Sequence, residues 1–291
     1  MYQVIPRRWL TDRLDVWFSI WQKDPPGGRV ECRISTNGTV VQTIDLSPVS
    51  NWRKRGAPPE KRIWHTWRII HSLQPGTEYT CELLVKGTVR AIGIARTLPR
   101  SLPSTNGTSR PFNVFVGSCY FLPNDPNKKV PAAYMKLWNH AQWRPDVKFL
   151  CGDQIYFDCP PTDFFYVSPS DPQAWIRKRL TQKYRQTWRT LDPLLSRGIT
   201  YFLTDDHEYW NDYPDKMNGG WVFATHTAHD YLKRRTEAFA NDFQWAGAPA
   251  EGFQIGNLNF WVLDTRRHRS LNQSAAKWYP WAPLRCRSRS G

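Results

Sequence analysis

One stretch of this chain concentrates side chains that do chemistry. Residues 203–213, LTDDHEYWNDY, carry Asp205, Asp206, Glu208 and Asp212, with His207 and Asn211 among them. The apolar run GITYFL leads straight into it, so the acids stand where a buried strand is expected to end. The whole chain has a net charge of +15, with 40 Lys and Arg against 25 Asp and Glu, so this crowding runs against the composition. Carboxylates held together repel one another and must protonate or find a cation. Oxygen donors beside an imidazole form a donor set that suits metal ions.

Three other stretches repeat the form. FNVFVGSC (112–119) ends at Cys119. DVKFLCGD (146–153) ends at Gly152 and Asp153, with Tyr156 and Asp158 just beyond. LNFWVLDTR (258–266) ends at Asp264, Thr265 and Arg266. Singly, each has an ordinary explanation: a buried core thiol, a turn cap, a packed tyrosine, a structural ion pair. Together they mark one end of several successive strands.

The elements that must position these groups are legible from periodicity. Residues 130–143, 171–191 and 226–243 read as helices. In the second, Trp175, Leu180, Tyr184, Trp188 and Leu191 recur near helical spacing, and Asp171 and Pro172 mark its start. Strands alternating with helix-length connections imply a largely parallel sheet with helices packed on it. The carboxyl ends of such strands share an edge where ligands bind, so the four segments are expected to converge.

Residues 10–98 have a different rhythm. Short strands are separated by turn signals at PPGGR and Asn37-Gly38, which implies a β-sandwich. The segment LQPGTEYTCELLV (73–85) resembles the Leu-x-Pro-Gly-Thr-x-Tyr signature of fibronectin type III domains. Pro75-Gly76 is expected to form a type II turn, and the Tyr79 hydroxyl to pin the corner. PRSLPSTNGTSRP (99–111) reads as a linker. The expected organisation is a sandwich over 1–98, a linker over 99–111 and a catalytic domain over 112–291.

Composition limits the function classes. Hydrophobic residues make up 40% of the chain and aromatics 14%, enough for a sizeable core. No apolar run is long enough for a membrane span. No signal peptide is read, because polar residues follow the Arg7-Arg8 pair, and the compartment stays open. Six cysteines show no zinc-ligand spacing, and Cys32 and Cys81 either pair or stay as buried thiols. The basic excess favours anionic partners. No basic patch interleaves with aromatics in a recognisable module, so nucleic acid enters only as a substrate.

Four motifs, GSC, GDQIY, TDDHE with ND close behind, and LDTR, occur in the order seen in alkaline phosphatase D (PhoD-like) phosphatases. These belong to the metallophosphoesterase (calcineurin-like) superfamily, and the resemblance runs from about residue 10 to Trp281. It implies an α/β fold, a metallophosphoesterase-type β-sandwich flanked by helices, preceded by an all-β fibronectin type III/Ig-like sandwich. It implies a metal-dependent phosphoester hydrolase, phosphatase or phosphodiesterase, in which a metal-bound hydroxide attacks phosphorus.

The implied cofactors are Fe3+ and Ca2+. Carried over residue by residue, Cys119 and Tyr156 bind iron and Asp153 bridges metals. Asp206 stands at the superfamily's metal-binding Asn. Asn211 and Asp212 stand where the family has two Asn. His207 contacts the leaving group or phosphoryl oxygens, and Arg266 lies near the phosphate. Thr204, Asp158 and Asp212 depart mildly from the pattern. No Gly-Asp-x-His segment follows Arg266, so the expectation is a C-terminally truncated member with an incomplete catalytic fold. The alternative function is a non-catalytic remnant acting at most as a binding module.

Overall fold

The computed structural model describes residues 1–56, 62–103, 110–159, 172–210, 213, 226–244 and 250–266. Strands β1 (Tyr2–Trp9), β2 (Leu14–Trp21), β6 (Ile63–Ile70) and β5 (Arg53–Arg55) form one antiparallel sheet in the order β1-β2-β6-β5. Strands β3 (Val30–Thr36), β4 (Thr39–Asp45), β7 (Glu78–Val85) and β8 (Thr88–Arg96) form a second, in the order β4-β3-β7-β8. Val4, Leu14, Val16, Phe18 and Ile20 of the first sheet share a buried core with Cys32, Ile34, Tyr79, Cys81 and Leu83 of the second. The two sheets therefore close face to face over a common apolar layer.

Two local expectations are met. The Tyr79 hydroxyl accepts the Gln74 N–H at 2.8 Å. Gly76 has φ +63°, the left-handed geometry that the third residue of a type II turn needs. Cys32 and Cys81 are free, buried thiols in hydrogen-bond contact. Strand β1 was not expected, since the strand pattern was read from residue 10. Its YQVIPRRW run lacks clean alternation because the strand is buried on both faces. Ile5 packs with the helices and Val4 with the sandwich core. Its neighbour β2 is buried at all eight positions for the same reason.

After residue 110 the chain builds a three-stranded parallel sheet. Strands β9 (Val114–Gly117), β10 (Val147–Cys151) and β11 (Ile199–Leu203) lie in the order β11-β10-β9. Alternation sorts their side chains between two layers. Leu150 and Phe202 face a core that includes Tyr134 and Trp138 of α1 (Lys129–Asn139). The same core takes Ile176, Leu180, Tyr184, Trp188, Leu191 and Leu195 of α2 (Pro172–Leu195). Phe239 and Phe243 of α3 (His226–Phe243) complete it.

The buried stripe of α2 starts at Ile176 rather than Trp175, which is only partly buried. The helix runs past Leu191 and through Pro193, because Leu194 and Leu195 are buried and burial outweighs the lost backbone bond. Helix α1 ends at Asn139 instead of residue 143.

The fourth expected strand is a correction. Strand β13 (Leu258–Leu263) does not join the parallel sheet but pairs antiparallel with β12 (Ala250–Ile255). Its tight turn at Gly256 makes a hairpin, whose Phe253 and Phe260 stack on Phe149 and Tyr201 of the parallel sheet. A hairpin and a crossover strand carry the same apolar pattern, and only tertiary packing distinguishes them.

The N-terminal sheets dock directly on this second part. Ile94 N–H donates to Ser196 O at 2.8 Å, and Gly198 N–H donates to Ile94 O at 2.7 Å. Gln3 Nε2 donates to Trp188 O at 3.0 Å and to Asp192 Oδ1 at 2.9 Å. Asp242 of α3 is paired with Arg53 and Arg55.

Candidate metal centre

The loops after β9, β10 and β11 are tied together by backbone geometry. Cys119 follows β9 with φ +58°, and Asp153 follows β10 with φ +56°. These are left-handed conformations that a non-glycine residue adopts only when the surroundings hold it there. Cys119 N–H donates to Gly152 O at 3.2 Å. Gly152 itself has φ +88°, and a Cβ placed on it would lie 2.4 Å from Asp205 Cβ. The absence of a side chain at 152 thus lets the β10 loop lie against the β11 loop.

Glu208 is the knot between them. It is fully buried. Oε2 accepts the backbone N–H groups of Asp153 at 3.0 Å and Asp205 at 2.8 Å. Oε1 accepts the N–H groups of Gln154 at 2.8 Å and Ile155 at 3.2 Å, and Gln244 Nε2 at 2.9 Å. Burial is the larger influence and raises its pKa to about 7, against the hydrogen bonds from Asp205 and Gln244.

The predicted donors meet at this knot. Cys119 Sγ donates to Asp153 Oδ2 at 3.4 Å, and the Tyr156 hydroxyl is hydrogen-bonded to the same thiol. His207 N–H donates to Asp153 Oδ1 at 3.3 Å. One ligand atom from each of Asp153, Asp206 and His207 lies within 4.8 Å of the other two. A second such group is Asp158, Cys159 and His207. The Tyr156 ring stacks on His207 with centroids 4.3 Å apart and on Phe121 at 4.8 Å.

Asp158 grips the His207 ring, with Nδ1 2.8 Å from Oδ1 and 3.0 Å from Oδ2. Burial alone would lower the His207 pKa, but Asp158, Asp153 and Asp206 together outweigh it and raise it to about 9. Burial raises Asp153, His207 opposes the rise, and the charges of Asp205 and Asp206 add to it. Burial and the charge of Asp153 also raise the Tyr156 phenol.

The end of β13 reaches the same place from the other layer. Asp264 Oδ2 accepts from Thr204 Oγ1 at 3.4 Å. Arg266 pairs with Asp205, lies 3.8 Å from Asp206, and donates to Tyr213 O at 2.9 Å. The expected convergence of four segments therefore holds, although the fourth arrives from a hairpin. Asn211 and Asp212 lie outside the described residues. Sequence reasoning gave no role to Glu208 or Gln244. Glu208 stood within a recognised motif, but Gln244 carries no signal, since only the fold brings it to the knot.

The donor chemistry fits cations. A thiol, a phenol, carboxylates and an imidazole are grouped where the charges of Asp205 and Asp206 add to the raised pKa of Asp153, the electrostatic state that a bound cation relieves.

No protein-family model matches the chain, and no curated protein matches it. Among solved structures, it is similar to PhoD, with a TM-score of 0.61 and 16% identity. The match covers 92% of this chain and 52% of that one, so the chain spans about half the length of PhoD. The sensor domain of the anti-sigma factor RsgI4 in Pseudobacteroides cellulosolvens aligns with 36% of this chain and 96% of its own, at 12% identity and a TM-score of only 0.25, and carries no argument. Over the aligned residues, this chain has a PhoD-like fold.

Proposed function

We propose that the chain carries the metal site of a metal-dependent phosphoester hydrolase, of the alkaline phosphatase or phosphodiesterase type. The observation that carries this reading is the meeting of Cys119, Asp153, Tyr156, Asp206 and His207 at the ends of three successive parallel strands. Cys119 and Tyr156 would hold Fe3+, Asp153 would bridge, and Asp206 with Asn211 and Asp212 would favour Ca2+. When bound, such ions lower the pKa of water and neutralise charge on phosphoryl oxygens.

The chain's own residues do the rest. Asp158 holds His207 Nδ1, so Nε2 is the nitrogen that would meet the leaving oxygen and donate a proton to it. Asp205 orients the Arg266 fork, which would hold equatorial phosphoryl oxygens. The substrate class is a small phosphoester or a phosphodiester. In this reading residues 1–98 are a fibronectin type III-like domain, supported by the two strand orders and the Tyr79 corner. Residues 112–291 belong to the catalytic domain.

The test is iron and calcium per chain on protein purified without chelators, with hydrolysis of p-nitrophenyl phosphate and bis(p-nitrophenyl) phosphate. Wild type is expected to hold metal and turn over, and Asp153→Ala to lose both. Turnover that survives in Asp153→Ala would sink the site assignment. Metal without turnover would leave the binding-module reading.

A further inference from the structure

A second polar site lies away from the metal centre, where the first sheet meets the parallel one. In the β1–β2 pairing, Pro6 faces Val16 and Arg8 faces Asp15, so Arg7 is the extra residue of a β-bulge. A bulge turns one side chain out of the alternation, and such kinks recur where a side chain must be re-aimed. Here the turned residue is an arginine, and it points into protein. Arg7 is 2% exposed. Its guanidinium lies 4.0 Å from the Phe202 ring centroid and 5.1 Å from that of Trp67. One terminal nitrogen donates to Phe243 O.

The other two nitrogens, Nε and the second terminal one, have no hydrogen-bond partner among the described residues. No carboxylate of the described residues forms an ion pair with Arg7. The nearby acid, Glu251, is paired with Arg8 instead. The Thr200 hydroxyl is also buried and unpartnered. Arg7, Arg8, Thr200, Gln244 and Glu251 line one cavity of about 20 Å³, walled by Trp67 and Phe202. That is room for one occupant of about the size of a water molecule, which needs roughly 10–15 Å³.

A buried cation with no direct ion pair is costly, and proteins pair such charges or keep them near water. We propose that this cavity is a binding site for a monatomic anion, chloride under ordinary conditions, held by Arg7 and the Thr200 hydroxyl at the junction of the two parts of the chain. The two unused guanidinium nitrogens carry three N–H donors, and the Thr200 hydroxyl supplies a fourth. A polyatomic anion does not fit a space of about 20 Å³, and the Glu251 carboxylate in the same lining, which opposes any anion, is offset by its pairing with Arg8. The site also touches the metal centre through one residue. Gln244 lines the cavity and donates to Glu208, the carboxylate that ties the Asp153 and Asp205 loops.

The test needs no assumption about catalysis. Crystals of the full chain grown in sodium bromide are measured at the bromine absorption edge. An anomalous peak in contact with Arg7 Nε is expected. In solution, thermal unfolding is compared in sodium chloride and sodium gluconate at equal ionic strength. Saturating chloride is expected to raise the melting temperature by about 2–4 °C. Arg7→Met is expected to abolish that response, and Thr200→Val to shift it to several-fold higher chloride. The bromide measurement on wild type stands even where Arg7→Met does not fold. Water alone on the Arg7 fork, Glu251 swung onto it, a response to phosphate but not halide, or a chloride effect unchanged by Thr200→Val and Arg7→Met would each overturn the assignment.

Discussion

Replacing Glu208 by Gln keeps the shape of the knot and removes its charge. The carboxylate accepts three donors on Oε1 and two on Oε2. The amide does least harm with its oxygen on the three-donor side, which sets its NH2 against the N–H groups of Asp153 and Asp205. Two buried donors then lose their acceptor, at about 1–3 kcal/mol each, a gross cost of about 2–6 kcal/mol.

An opposing effect depends on pH. Glu208 has a folded pKa of about 7 against an ordinary 4.5. A raised folded pKa contributes stability that is complete below 4.5 and is lost as pH rises through 7. At about 1.4 kcal/mol per unit, the wild type loses about 3 kcal/mol over that window, and the Gln variant does not. The gap between metal-free wild type and variant is therefore widest below pH 4.5 and narrows by about 2.5 kcal/mol between pH 5 and pH 8. Urea unfolding of both proteins in EDTA at the two pH values measures it. A gap that is absent at pH 5, or that widens toward pH 8, refutes the reasoning.

Three further outcomes follow from the same geometry. Gly152→Ala forces a Cβ to 2.4 Å from Asp205 Cβ at φ +88°, so a loss of roughly 3 kcal/mol or more is expected by denaturant unfolding, with weaker metal binding. Asp158→Asn removes the partner of His207 Nδ1. In metal-free protein, the His207 pKa, read by NMR titration, is expected to fall from about 9 toward 6.5, and with it the stability that wild type keeps below 6.5 and loses through 9. Tyr79→Phe deletes the 2.8 Å bond from Gln74 N–H and is expected to cost about 1 kcal/mol in thermal unfolding, with metal content unchanged.

The legible parts of this chain are those where local chemistry and period agree. The Tyr79 corner, the three parallel strands and the α2 stripe follow from alternation, turn residues and helical spacing. Strand β1 was hidden because burial on both faces erases alternation, and because Arg7 interrupts the pairing with a bulge. The placement of β13 was misread because its LNFWVL run fits a crossover strand as well as a hairpin. Its end still reached the site, since Thr204 to Asp264 and Asp205 to Arg266 close the gap from the facing layer. Cys119, Asp153, Asp206 and His207 were legible as candidate donors because they stand at the ends of apolar runs, and Tyr156 because it lies just beyond Asp153 in the GDQIY motif. The role of Glu208 was not, since a buried acceptor and a metal ligand are the same residue type in a sequence.

The structure divides those acids by what each one meets. Glu208 is spent on backbone N–H groups, Asp158 on the His207 ring, and Asp205 on Arg266. Each of these interactions fixes a loop or a side chain and needs no ion. Asp153 is different: it is buried, its pKa is raised, and it sits between the Cys119 thiol and the backbone of His207, with an Asp206 ligand atom close by. The protonated His207 ring offsets part of its charge, while Asp205 and Asp206 add to the repulsion. Cys119 and Asp153 both have left-handed backbone, and their side chains meet at 3.4 Å. The strain held at those two residues is compensated by the Glu208 hydrogen bonds that tie their loops.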